Sequence, residues 1–166
     1  MSVKLKIIGG AVAVFALQAA AANAQLLTEK RISSGMALTI AQTAIETCKA
    51  NGYSVSVTIV GRLSEVLLQV RGDTAGNHTM ENSFRKAYTA RTFRTTSGEF
   101  ASRMLKPGEP PGAATNLTNI IAAAGALPIK AGEDFVGAVG VSGAPGGDKD
   151  EVCTRAGIAK IQDRVK

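Results

Sequence analysis

Three glycines punctuate one apolar segment at even spacing: Gly137, Gly140 and Gly143 in and just after Phe135–Ser142. Phe135, Val136, Val139 and Val141 mark that segment as a strand. A glycine inside a strand gives up side-chain packing, so it implies a bulge or the close approach of another backbone. A second β signal lies upstream. Tyr53 to Val60 alternates Val55, Val57 and Ile59 on one side with Ser54, Ser56 and Thr58 on the other. Gly61 to Ser64 reads as a turn and Val66 to Arg71 as a second strand, which makes the pair a hairpin.

Helical periodicity surrounds these strands. Met36, Ile40, Ala44 and Cys48 recur every four residues within Thr28–Asn51, with Glu29 in the first turn and Asn51-Gly52 at the C-cap. After the polar loop Gly72–His78, Thr79 can cap a helix from Met80 to about Thr95, and a shorter helix follows from Ser97 to Leu105. Lys106–Ala114, with three prolines and two glycines, is a surface loop. Ile120–Ala123 and Leu127–Lys130 are candidate strands, and Ala131–Asp134 is a turn. Asp148 or Asp150 can cap a last helix running to about Val165. Hairpins with segregated helices give an α+β fold: one domain, five strands in an antiparallel sheet, and a helix pair on one face.

The first residues read differently. Lys4 and Lys6 precede the apolar run Ile7–Ala22, and Ala22-Asn23-Ala24 has the A-x-A form of a cleavage site. This is the layout of a secretory signal peptide over residues 1–24, leaving 25–166 as the domain. The run is a little short for a membrane anchor, and no later segment offers a span. The expected location is periplasmic or secreted, where a disulfide is allowed. Loss of Lys4 and Lys6 with the leader lowers the formal charge of +6 to +4.

Composition closes several functional classes. One His and two Cys among 166 residues exclude multi-histidine metal sites and thiolate clusters. G-x-S-x-G, H-E-x-x-H and P-loop motifs are missing, and Gly140-Val141-Ser142-Gly143 fails as a nucleophile elbow because Ala144 stands where the last glycine belongs. The basic residues form no run and aromatics are only 4%, so nucleic-acid binding is not expected. What remains is His78, in a Gly-rich loop just before a helix. One imidazole suffices as an axial ligand to haem, since the porphyrin supplies the other nitrogens. A solvated loop histidine is the plain alternative. Arg71, Arg85, Lys86 and Arg91 can pair with carboxylates or propionates, or simply face water. Tyr88 and Phe93 can flank a flat ligand or serve as core. Cys48 near the end of the first helix and Cys153 near the start of the last would meet if those helices pack antiparallel; otherwise they are two small buried thiols.

Asn82–Ala90, containing Lys86-Ala87-Tyr88-Thr89-Ala90, resembles the K-A-x-T-A signature of the GlcG/HbpS-like haem-binding proteins, the haem-degrading domain family. Val57–Val60 and its turn resemble the family's first hairpin, Arg71-Gly72-Asp73 its R-x-D, and Gly137–Gly143 its G-A-[IV]-G-V-S-G. Asp150 and Gly157 fit its closing pattern. Two positions depart: the usual Asp after the first strand is Gly61, and the G-G-x-P motif reads Ala124-Gly125-Ala126-Leu127-Pro128. The resemblance implies a profilin-like α/β fold with a five-stranded antiparallel sheet, even-numbered homo-oligomers up to octamers, and a haem or related tetrapyrrole ligand. It also implies that the first and last helices lie side by side, which favours a Cys48–Cys153 bridge. The resulting expectation is an exported, oligomeric haem-binding protein, with His78 as axial ligand and Arg71, Arg85, Tyr88 and Arg91 around the cofactor. Subunits adjoining each other would help wall the porphyrin, because aromatics are few. The alternatives are an enzyme acting on haem or a small metabolite, and an accessory structural subunit of a periplasmic system.

Overall fold

The computed structural model describes residues 26–165. The proposed signal peptide 1–24 lies outside them. Alternation in the sequence becomes two chemically different sheet faces. Strands β1 (Ser56–Val60), β2 (Val66–Arg71), β3 (Ala126–Ala131) and β4 (Asp134–Ser142) form one antiparallel sheet in the order β2-β1-β4-β3. Val57 pairs with Val141 and Ile59 with Val139, so their side chains share one face. That face is covered by α1 (Ser34–Ala50) and α4 (Gly147–Ala159), which pack on each other. Ile40, Ala44, Val57, Ile59, Val139, Val141 and Ile161 make the main core there.

The opposite face carries Ser56, Thr58 and Gly140, and α2 (His78–Phe93) lies across it. Ser56 Oγ and Thr79 Oγ1 are 2.7 Å apart, and Thr58 Oγ1 and Ser83 Oγ 2.8 Å apart, both pairs buried. Gly140 explains the tight seating. A Cβ there would stand 2.2 Å from the Ser83 carbonyl oxygen and 2.7 Å from the Ala87 nitrogen. At Gly140 the close approach that a strand glycine implies is thus the approach of a helix. Val60, Ala87, Ala90, Ala126 and Ala138 complete this second, small-residue core. Helix α3 (Ser97–Met104) follows, held at its start by a capping box between Thr96 and Glu99.

On the other side of the sheet, Gly157 lets α4 approach α1, since a Cβ would stand 2.8 Å from the Ile40 carbonyl oxygen. Cys48 and Cys153 form a disulfide across this contact, with Cα atoms 5.5 Å apart. Cross-linking residues 105 apart in sequence is worth about 4–5 kcal/mol in the chain-entropy picture. No helix among the described residues is long and apolar enough to cross a membrane.

Five expectations need correction. Among the described residues the sheet has four strands, not five: around Ile120–Ala123 the backbone bonds to α2 side chains instead, Arg85 donating to the Ile120 carbonyl (2.7 Å) and Ile121 N–H to Thr89 Oγ1 (3.0 Å). Helix α1 starts at Ser34, capped by Ser33, whose Oγ accepts from Met36 N–H. Glu29 therefore precedes the helix and pairs with Arg62 at 3.3 Å. Thr79 is not a cap, because α2 begins one residue earlier and Thr79 Oγ1 donates back to the Gly76 carbonyl. Neither Asp148 nor Asp150 is a cap, because both lie in the first turn of α4 after Gly146, and α4 ends at Ala159 rather than near Val165, with a short 3-10 turn at Gln162–Arg164 beyond it.

Candidate functional site

Helix α2 carries nearly every polar residue singled out in the sequence, and its geometry sorts them. Lys86 points inward and is buried. Its Nζ donates to Asp150 Oδ2 at 2.8 Å and to the Val141 carbonyl at 3.2 Å. Asp150 Oδ1 accepts from Ala144 N–H at 3.0 Å. Burial pushes the Asp150 carboxyl above its usual range, although the Lys86 charge and these hydrogen bonds oppose the shift. The carboxylate that pairs with Lys86 is thus the protein's own. This cluster is sealed from ligands: it ties α2 to β4 and to the start of α4.

The remaining candidates sit on the outside. His78 is exposed at the first turn of α2, its ring lying over Gly76, where a Cβ would come within 2.8 Å of the ring's Cε1. No described side chain hydrogen-bonds to the imidazole. Arg71 Nη1 donates to Asn77 Oδ1 at 2.6 Å, which braces the end of β2 against the start of α2. Arg71 also borders a cleft of about 530 Å³ with Lys49, Tyr53, Val70 and Asp73. Such a volume suits a small-molecule site.

Farther along, Arg85 is half-buried, bonded to Ile120 and 3.5 Å from Glu81. Tyr88 is half-buried and meets Phe84 edge-on, with ring centroids 5.7 Å apart. From His78 the helical rise puts Arg85 about 10 Å, Tyr88 about 15 Å and Arg91 about 20 Å along the axis. Arg85 and Arg91 are turned about 120° from each other around the helix. His78, Arg85 and Tyr88 share its outer side, whereas Arg91 lies within reach of the charges of Arg62 and Glu65 at the β1–β2 turn.

Among the described residues no three of His, Cys, Asp and Glu gather to hold a bare metal ion. A single axial nitrogen is a different requirement, and His78 is suited to it: an exposed imidazole with no hydrogen-bond partner among the described residues, followed along one helix by a guanidinium and a phenol. The donor set fits haem, although among the described residues no enclosed apolar slot surrounds His78.

Comparison with known proteins agrees with the fold and the motifs. The family model for haem-degrading, HbpS-like proteins matches residues 32–159. The chain belongs to the HbpS-like family. A double mutant of HbpS from Streptomyces reticuli superposes with TM-score 0.75 at 28% identity, over 96% of this chain and 97% of that one. A second HbpS crystal structure gives TM-score 0.75 at 32% identity, over 81% and 93% of the two chains. A complex of PduOC with haem shares the fold at TM-score 0.73 and 21% identity, covering 80% and 96%. Among curated proteins the search finds no match.

Two stretches that carried the resemblance meet inside this HbpS-like fold. Ala87 of the Lys86–Ala90 signature packs on Gly140 of the glycine-spaced strand, and Lys86 reaches the Val141 carbonyl and Asp150. These motifs hold the fold together. The cluster Lys86–Asp150 was not legible in the sequence, because its partners are 64 residues apart.

Proposed function

We propose that this protein is exported and binds haem or a related tetrapyrrole on the outer side of α2, with His78 as the axial ligand. The observation carrying this reading is the chain's one imidazole, exposed at the start of α2 and without a hydrogen-bond partner among the described residues, with Arg85 and Tyr88 on the same side of the helix. Arg71 and Arg85 contact the propionates, a role that suits a bidentate guanidinium. Bound haem would bring iron-centred ligand and redox chemistry; the protein's part is to hold and orient it. Membership of a family described as haem-degrading, and a neighbour solved as a haem complex, support the choice of cofactor.

The pocket is completed by a second subunit in an even-numbered homo-oligomer. Support comes from the exposed edge strand β2, with Val66 half exposed, and from an adjoining apolar groove of Leu38, Ala41, Ile45 and Val70. The leader pattern of residues 1–24 and the Cys48–Cys153 disulfide support export. Titration of the purified protein with hemin should give a shifted Soret band that weakens in His78→Ala; an unchanged band in that variant rejects the ligand assignment.

The family's description favours one second reading, turnover of haem rather than storage or sensing. It predicts steady loss of the Soret band with product formation when a reductant and oxygen are supplied, and a band stable under those conditions rejects it.

A further inference from the structure

At the far end of α2 from His78, three elements bring cations together. Arg91 and Arg94 come from the end of α2, Arg62 from the β1–β2 turn, and Lys130 from β3. Lys130 Nζ and Arg94 Cζ stand 4.9 and 5.9 Å from the centre of the Phe135 ring. Arg62 is already engaged, by Glu29 at 3.3 Å and Asp134 at 3.9 Å. Lys130 has Glu133 at 3.6 Å. The side chains of Arg91 and Arg94 have no hydrogen-bond or ion-pair partner among the described residues, and Arg91 Nε is buried and unsatisfied. Arg94 is held in the left-handed region, at φ 53°. Burial first, then the charges of Arg94 and Arg62, push the Arg91 guanidinium below its usual range, with Glu65 opposing.

A buried guanidinium N–H without an acceptor is a rare arrangement in a folded chain, and it marks a place where an acceptor belongs. We infer that this corner binds a small oxyanion, a carboxylate or phosphate group, gripped by Arg91 and Arg94 above Phe135. Arginine forks match the geometry of both groups. The inference does not depend on haem at His78. A free anion and the propionate of a bound tetrapyrrole present the same chemistry, and the test separates them.

Purified, disulfide-bonded protein is titrated with succinate and with inorganic phosphate at constant ionic strength, and the backbone amides of Arg94, Thr95 and Phe135 are followed by NMR. Saturable shifts are expected at these amides. Arg91→Gln and Arg94→Gln should each weaken binding at least tenfold, while His78→Ala leaves it unchanged. Arg94 is exposed, so its variant keeps the test valid if Arg91→Gln unfolds the protein. Absence of saturation, shifts that follow ionic strength whatever the anion, or wild-type binding by a folded Arg94→Gln variant would each overturn the inference. Hemin is the second arm. Competition between hemin and succinate, lost with the dimethyl ester of hemin, identifies a propionate as the oxyanion. Simultaneous binding of both identifies a free anion.

Discussion

Helix α2 is polar on two sides, and the two sides differ in one respect. On the inner side Thr79 meets Ser56, Ser83 meets Thr58, and Lys86 meets Asp150, all at 2.7–2.8 Å and all buried. On the outer side and at the end, His78, Arg91 and Arg94 have no side-chain hydrogen-bond or ion-pair partner among the described residues, and Arg91 Nε is buried without one. Buried polar groups normally find partners, since desolvation without a hydrogen bond is costly. The satisfied side therefore answers to the fold, and the unsatisfied side is where ligands are to be sought. The residue types alone make no such division: a lysine lies on the structural side and arginines on the open side.

The sharpest way to break this comparison is to cut the buried pair. Lys86→Met or Asp150→Ala, made singly, should cost about 3–5 kcal/mol in denaturant unfolding, because each leaves a buried charge unmatched. Replacing both together by apolar residues should recover much of that loss. A single-variant loss below about 1 kcal/mol would mean that water reaches the pair and that it is not the sealed cluster described above. Next in size is Gly140→Ala, whose added carbon meets backbone atoms of α2 at 2.2 and 2.7 Å. It should destabilise by about 1–3 kcal/mol as the helix is displaced. An unchanged melting temperature would contradict the tight seating of α2.

The pH dependence sharpens the same contrast. Burial raises the Asp150 carboxyl above 3.8 in the folded protein, so the native state holds this proton to higher pH than the unfolded chain does. The resulting stability is fully present below 3.8 and is lost as pH rises through the folded value. The stability of the wild type relative to Asp150→Asn should thus fall with rising pH over that window and then level off. A difference that grows with pH would show that attraction to Lys86 outweighs burial. The smallest expected effect belongs to the open side. His78→Ala should change stability by less than about 0.5 kcal/mol, as an exposed substitution does, while the hemin spectrum changes. A large destabilisation would move His78 to the structural side.

Much of the scaffold was legible. Val55, Val57 and Ile59 announced an apolar sheet face, and they lie in the main core. Gly140 announced a close approach, and α2 makes it. The fifth strand misled for a physical reason: Ile120 and Ile121 look like strand residues, but their backbone is tied to Arg85 and Thr89 side chains, so no ladder is needed. Glu29 misled because the four-residue apolar spacing begins only at Met36 and does not fix where the first turn starts; Ile32 is buried in the core and Ser33 caps the helix. The arginine corner was read only in part. Arg91 stood out along the helix, whereas Arg62 and Lys130 come from other parts of the chain and join it only on folding.

The sequence by itself determined the periodicities, hence the strands, the helices and which side of each is apolar. It also carried the motifs shared with the HbpS-like family and the single histidine that limits the metal chemistry. The tertiary structure alone decided which charges are silenced. Lys86, Arg85 and Arg91 are similar cations on one helix, and local sequence does not distinguish them. What separates them is what packing gives each: a buried carboxylate for Lys86, a loop carbonyl for Arg85, and, for Arg91, burial together with the charges of Arg94 and Arg62. The energy of a charge depends on its partners and its exposure to water, and both are fixed only when distant segments meet.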